Sequence, residues 1–106
     1  MASARERIEQ DVKANNIIMY VKGNKMFPQC GFSKAVMDVF TQLNVPFETR
    51  DVLEDPEVRD EIKAFTNWPT IPQVFVKGKF IGGCDIVMEL FQNGELQNIV
   101  KDATAE

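Results

Sequence analysis

The sequence contains no histidine, only two cysteines, a single tryptophan and a single tyrosine. Without histidine, Ser-His-Asp and Cys-His catalysis are excluded, as is every imidazole-ligated metal site. Cys30 and Cys84 fall short of the four protein ligands of a structural zinc site, and no pair of Cys-x-x-Cys arms exists to hold one. Any metal therefore needs ligands from outside the chain. No run approaches the roughly 20 apolar residues of a membrane span. Met1 to Asp11 carries Arg5, Glu6, Arg7, Glu9 and Asp11 where a secretory signal would have an apolar block. Two cysteines without such a signal are expected to be reduced thiols in a reducing compartment. That compartment is the cytoplasm, or an organelle matrix or stroma if a transit peptide has been removed.

What is present describes an ordinary globular chain. Its 106 residues, 44% hydrophobic and 26% charged, suit one domain with one modest core, expected over about residues 5 to 100. Twelve basic against sixteen acidic residues leave a net charge of −4, which argues against nucleic acid as a partner but leaves room for a small basic pocket. Neither nucleic acid nor a membrane is expected to bind.

Ile8 and Val12 stand at helical spacing in a charged segment and predict a helix over 4–15. Ile17 to Val21 reads as a strand buried on both faces. After a polar loop from Lys22 to Gln29, Val36, Val39, Phe40 and Leu43 predict a second helix starting near Cys30. Pro46 punctuates the chain, and Phe47 to Val52 predicts a second strand, parallel to the first. Asp55-Pro56-Glu57 predicts a third helix, reaching about Phe65. Gln73 to Val76 and Lys79 to Gly82 flank Lys77-Gly78 and predict an antiparallel hairpin. Asp85 is expected to cap a last helical region carrying Ile86, Leu90 and Phe91, with a break at Gly94 and a frayed tail from Lys101 to Glu106. The class is α/β, a four-stranded mixed sheet flanked by helices.

Cys30 follows a buried strand and starts a helix, where unpaired N–H groups and the dipole stabilise a thiolate. At an ordinary pKa about 3% of a thiol is ionised at pH 7, whereas at a pKa of about 6 some 90% is. The second state serves as nucleophile or metal ligand; a buried, inert cysteine is the alternative. Three residues on, Ser33 stands where a dithiol motif has its resolving cysteine. Cys30 therefore needs an external thiol, an external metal or the distant Cys84.

Lys22-Gly23, Pro28-Gln29-Cys30-Gly31-Phe32-Ser33, Trp68-Pro69-Thr70-Ile71-Pro72 and Gly82-Gly83-Cys84-Asp85 together resemble the signatures of single-domain monothiol glutaredoxins with a CGFS active site. The resemblance covers about residues 5 to 100 in order and implies a thioredoxin-like fold. It further implies glutathione binding beside the thiol, and a 2Fe-2S cluster held at a homodimer interface by one Cys30 and one glutathione thiol from each side.

Carried over to these positions, the resemblance implies that Lys22 lies near the Cys30 sulfur and the glycine carboxylate of glutathione, with Arg59 on the same carboxylate and Lys63 as a further candidate. A surface ion pair with Asp55 or Glu57 is the alternative for Arg59. A cis Pro72 would present the Ile71 backbone to glutathione, with Thr70, Trp68 and Pro69 as scaffold. Gly83 lets a ligand approach closely, and Cys84 with Asp85 holds the glutamyl end. Cys84 as a cluster ligand stays open, as does a Cys30 to Cys84 disulfide. Met26, Phe27 and Phe32 surround the active loop as an apolar rim, and Phe32 also counts among the binding residues. Three functions follow: a carrier handing a 2Fe-2S cluster to apo iron-sulfur acceptor proteins, a one-cysteine glutathione-dependent oxidoreductase, or a cluster-sensing module that binds BolA-like partners.

Overall fold

A computed structural model describes residues 2–104. Five helices surround one sheet, in the chain order α1 (Ala4–Ala14), β1 (Ile17–Val21), α2 (Gly31–Gln42), β2 (Glu48–Asp51), α3 (Pro56–Thr66), β3 (Gln73–Val76), β4 (Lys79–Gly82), α4 (Cys84–Gln92) and α5 (Glu95–Thr104). The strand order is β2-β1-β3-β4. β1 runs parallel to β2 and antiparallel to β3, and β3 pairs antiparallel with β4. This is the predicted mixed sheet in a thioredoxin-like arrangement.

β1 explains the layering. Its five residues are all buried, and successive side chains point to opposite faces. Ile17, Met19 and Val21 join Val36 and Phe40 of α2, Val87 of α4 and Leu96 and Val100 of α5. Ile18 and Tyr20 join Ile8 and Val12 of α1, Val58 and Ile62 of α3, and Phe75. The sheet thus divides two half-cores, and β1 ends between them at Val21, with Lys22 next in the chain. The residues that follow β1 and begin α2 are thereby fixed at the end of an inner strand.

Local signals set the boundaries. Ser3 and Glu6 close a reciprocal cap on α1, each side chain bonding the other's backbone N–H at 3.1 Å. Asp55 Oδ1 accepts from the Val58 N–H at 3.2 Å, and Pro56 opens α3. Lys77 and Gly78 both take positive φ, 53° and 78°, the geometry that suits a two-residue hairpin.

The expected break at Gly94 divides the last helical region into two helices, and three other expectations need correction. The cap of α4 is Gly83, not Asp85: Gly83 is extended and helical backbone already begins at Cys84, so the Asp85 carboxylate sits inside the first turn. The tail does not fray at Lys101, because α5 runs to Thr104 and Ala103 is 1% exposed against the core; Ala105 and Glu106 lie outside the described residues. β2 begins at Glu48, with Phe47 packed on Phe40 beside it.

Candidate functional site

A cleft of about 580 Å³ opens where β1 ends and α2, α3 and α4 approach one another. It brings together the residues expected to bind glutathione: Lys22 after β1, Cys30 and Phe32 at the start of α2, Arg59 and Lys63 on α3, Ile71 before β3, and Gly83, Cys84 and Asp85 at the start of α4; Met26 and Phe27 of the apolar rim do not line it. Its charged side chains are three cations, Lys22, Arg59 and Lys63, against the carboxylates of Asp60 and Asp85. The cleft is thus a positive spot on a chain of net charge −4.

The loop before Cys30 is closed by backbone bonds. The Gln29 N–H donates to the Lys22 carbonyl at 2.9 Å, and the Asn24 N–H to the Phe27 carbonyl at 3.3 Å. The Asn24 side chain takes the N–H groups of Met26 and Phe27, each at 2.9 Å. Gly23 sits in this closure at φ +92°, and its N–H donates to Asp51 Oδ1 at 3.0 Å.

Cys30 occupies the N-cap of α2, half-buried, with no side-chain bond satisfying the helix end. The Ser33 backbone N–H does most to hold its pKa below the ordinary thiol value; burial opposes it, and the Phe32 N–H, the Ser33 hydroxyl and the Lys22 charge add to the lowering. The fully buried Ser33 hydroxyl also accepts the Lys22 N–H at 3.1 Å. Cys84 behaves in the opposite way: burial raises its pKa, helped by the charges of Asp85 and Cys30. The two thiols of one cleft therefore differ in chemistry. Alkylation by iodoacetamide at neutral pH should modify Cys30 well before Cys84, as read by peptide mass. The rate should rise with pH about a lower midpoint for Cys30 than for Cys84, because the thiolate is the reacting form.

The Ile71–Pro72 peptide is cis. Ile71 is buried, and neither its N–H nor its C=O has a hydrogen-bond partner among the described residues. The neighbouring turn is anchored from within. The buried Gln73 amide donates to the carbonyls of Trp68 and Thr70 at 2.9 and 3.1 Å. The Trp68 Nε1–H is buried without a partner among the described residues.

With this geometry in place, likeness to known proteins becomes informative. A glutaredoxin family model matches residues 17–81. A monothiol glutaredoxin of Synechocystis is 54% identical over 101 residues, 95% of this chain and 94% of that one. The chain belongs to the monothiol glutaredoxins. Among solved structures, reduced poplar apo GrxS14 superposes with a TM-score of 0.85 at 39% identity, covering 96% of this chain and 94% of that one. A buckwheat glutaredoxin–glutathione complex superposes at 0.86 with 28% identity, covering 96% and 91%.

Some site details of this glutaredoxin differ from the sequence reading. Trp68, Pro69 and Thr70, expected to be scaffold only, form part of the cleft wall. Gly83 is small for the protein's own packing: a Cβ there would stand 3.1 Å from the Pro72 carbonyl oxygen and 3.2 Å from Trp68 Nε1. The carboxylate nearest Arg59 is Asp60, at 3.7 Å, while Asp55 is taken by Arg7 at 2.6 Å. Leu53, Asp60 and Ile86 also line the cleft and were not foreseen. Leu53 lies on the turn after β2, where no periodicity marks which way a side chain faces. Around the mouth, Met26, Phe27 and Phe32 are 80%, 65% and 65% exposed, a solvent-facing apolar rim rather than packed core. No helix among the described residues is long and apolar enough to cross a membrane.

Proposed function

We propose that this protein carries a 2Fe-2S cluster as cargo, bound between two copies of the chain with glutathione as co-ligand, and hands it to apo acceptor proteins. The observation that carries this reading is Cys30: a thiol with a lowered pKa at the lip of a positive cleft, ringed by exposed apolar side chains and lacking a second thiol in its loop. Among the described residues no group of three or more acidic, cysteine or histidine side chains could hold a metal. One thiolate per chain supplies half of a four-thiolate set for two copies, and two glutathione thiols complete it. The apolar rim of Met26, Phe27 and Phe32 gives the second copy a surface to bury.

The chain's own groups fit glutathione. Lys22, Arg59 and Lys63 attract its glycine carboxylate, and Arg59 suits a two-point contact. The unpaired Ile71 N–H and C=O offer strand-like pairing to the cysteine residue of the tripeptide. The first turn of α4, with free N–H groups and the Asp85 carboxylate, suits the glutamyl carboxylate and ammonium. Because two of the four ligands are small molecules, the bound state is exchangeable.

Ser33 and the lowered Cys30 pKa also favour a second activity by one thiol. Cys30 thiolate attacks the glutathione sulfur of a protein-glutathione mixed disulfide and expels the protein thiolate. A second glutathione thiolate then attacks that glutathione sulfur, restoring Cys30 thiolate and forming glutathione disulfide.

Anaerobic reconstitution with iron, sulfide and glutathione, followed by visible absorption, native mass and transfer to an apo ferredoxin, tests the carrier reading. A coloured dimer that bleaches on transfer is expected. A colourless monomer with brisk deglutathionylation would replace the carrier by the oxidoreductase. Cys84→Ser should retain the colour, because its thiol is held protonated; loss of all cluster absorption in that variant would make Cys84 a ligand.

A further inference from the structure

The cations of the thiol cleft arrive from different elements, Lys22 from the end of β1 and Arg59 from α3. A carboxylate held by both needs their spacing fixed, because a two-point contact is directional. Backbone pairing does not extend that far. The last backbone bond between the segments runs from the Val52 N–H to the Val21 carbonyl at 2.9 Å. Beyond it the chain after β2 turns through Leu53 and Glu54 toward α3, whereas Gly23 enters the active loop and pairs with Pro28.

One side-chain oxygen spans the gap. Asp51 Oδ1 accepts the Gly23 N–H at 3.0 Å and the Leu53 N–H at 2.9 Å. The first bond fixes the peptide that joins Lys22 to Gly23, and the second closes the turn that leads to Asp55, the cap of α3. Gly23 is buried, so its N–H needs a partner within the protein.

The remaining backbone groups of Lys22 are tied elsewhere. Its N–H donates to the Ser33 hydroxyl at 3.1 Å, and its carbonyl accepts the Gln29 N–H at 2.9 Å. Those bonds reference Lys22 to α2 and the active loop, whereas the Asp51 bond references it to the turn before α3. Asp51 Oδ2 has no hydrogen-bond or ion-pair partner among the described residues. The fold therefore uses the position of one acceptor oxygen rather than the charge.

We propose that Asp51 is a positioning residue that sets the spacing at which Lys22 and Arg59 take the glycine carboxylate, a role that rests on glutathione being the ligand of the cleft. Asp51 does not itself line that cleft. Its loss is felt at one end of the ligand. Displaced cations lose a point of contact with the carboxylate, while the contacts at Ile71 and the start of α4 stay in place.

The test is an amide NMR titration of the reduced, full chain under anaerobic conditions with glutathione and with its glycine ethyl ester, which lacks that carboxylate. The unaltered chain should bind glutathione about tenfold tighter than the ester, the worth of one hydrogen bond to a charged group. Asp51→Ala should lower glutathione affinity by about the same factor and leave ester affinity nearly unchanged, so that the preference disappears. Asp51→Asn keeps an acceptor in place of Oδ1 and should keep the preference. Asp51→Glu keeps the charge but carries its oxygens one methylene further, and should lose it. These two variants keep the test valid if Asp51→Ala folds poorly. An unchanged preference in Asp51→Ala, an equal fall for both ligands, or a preference kept by Asp51→Glu as well as by Asp51→Asn overturns the role of Asp51. Equal binding of the two ligands by the unaltered chain is a different failure: it takes the glycine carboxylate away from Lys22 and Arg59, and the positioning role falls with it.

Discussion

Cys30→Ser is expected to eliminate both cluster carriage and deglutathionylation while leaving the fold intact. Serine keeps the shape of the side chain, but its hydroxyl stays protonated where the thiol ionises, so neither iron ligation nor attack on a disulfide survives. The fold has reason to tolerate the change. Cys30 caps α2 without a side-chain hydrogen bond, and serine is among the preferred residues for that position. A gain of up to about 1 kcal/mol would raise the melting temperature by roughly 4–8 °C. Visible absorption after reconstitution, turnover on a glutathionylated protein and a thermal melt read the three outcomes. Residual cluster colour in a well-folded variant would remove Cys30 from the ligand set.

Gly23→Ala is the mirror case, a change at a residue with no reacting atom of its own that should cost heavily in stability. Gly23 has φ +92°, a region where a side chain costs roughly 1–2 kcal/mol. The added Cβ would also stand 2.6 Å from the Gln29 nitrogen, 2.9 Å from Pro28 Cα and against the Phe27 carbonyl oxygen, all of them backbone. The loop from Asn24 to Gln29 would have to shift, breaking the Gln29 to Lys22 bond that closes it. A loss of about 3 kcal/mol or more is expected, measured as a fall in the urea midpoint with unchanged slope. Cys30 alkylation at neutral pH should slow in the same variant, since a shifted loop moves the sulfur away from the start of α2, whose N–H groups lower its pKa. An unchanged midpoint would mean that the loop closes by another route.

Much of this was legible in the chain because local and global signals agree. Five apolar residues from Ile17 to Val21 can only be a strand covered on both sides, and Asp55-Pro56 can hardly be anything but a helix start. The site motifs lie at strand ends and helix starts, so the topology alone gathers them into one cleft. What could not be read depended on packing between distant segments. Asp85 is the better capping side chain, yet the extended backbone of Gly83 starts α4 earlier, and the carboxylate keeps only its favourable place near the dipole. The charged stretch after Lys101 looks like a tail because nothing local shows that Ala103 meets the core. Arg59 has no access to Asp55 because Arg7, more than forty positions earlier, holds that carboxylate.

Ser33 gives the one-thiol character a different footing. Its hydroxyl is sealed from solvent, accepts the N–H of Lys22 and turns toward the Cys30 sulfur. A thiol placed there would be a poorer acceptor for Lys22. The same oxygen that leaves Cys30 without a resolving partner thus also fastens the end of β1 to the first turn of α2. Converting this protein into a two-thiol exchanger would loosen that fastening, so the restriction to one working sulfur is tied to how the backbone is closed as well as to the identity of one residue.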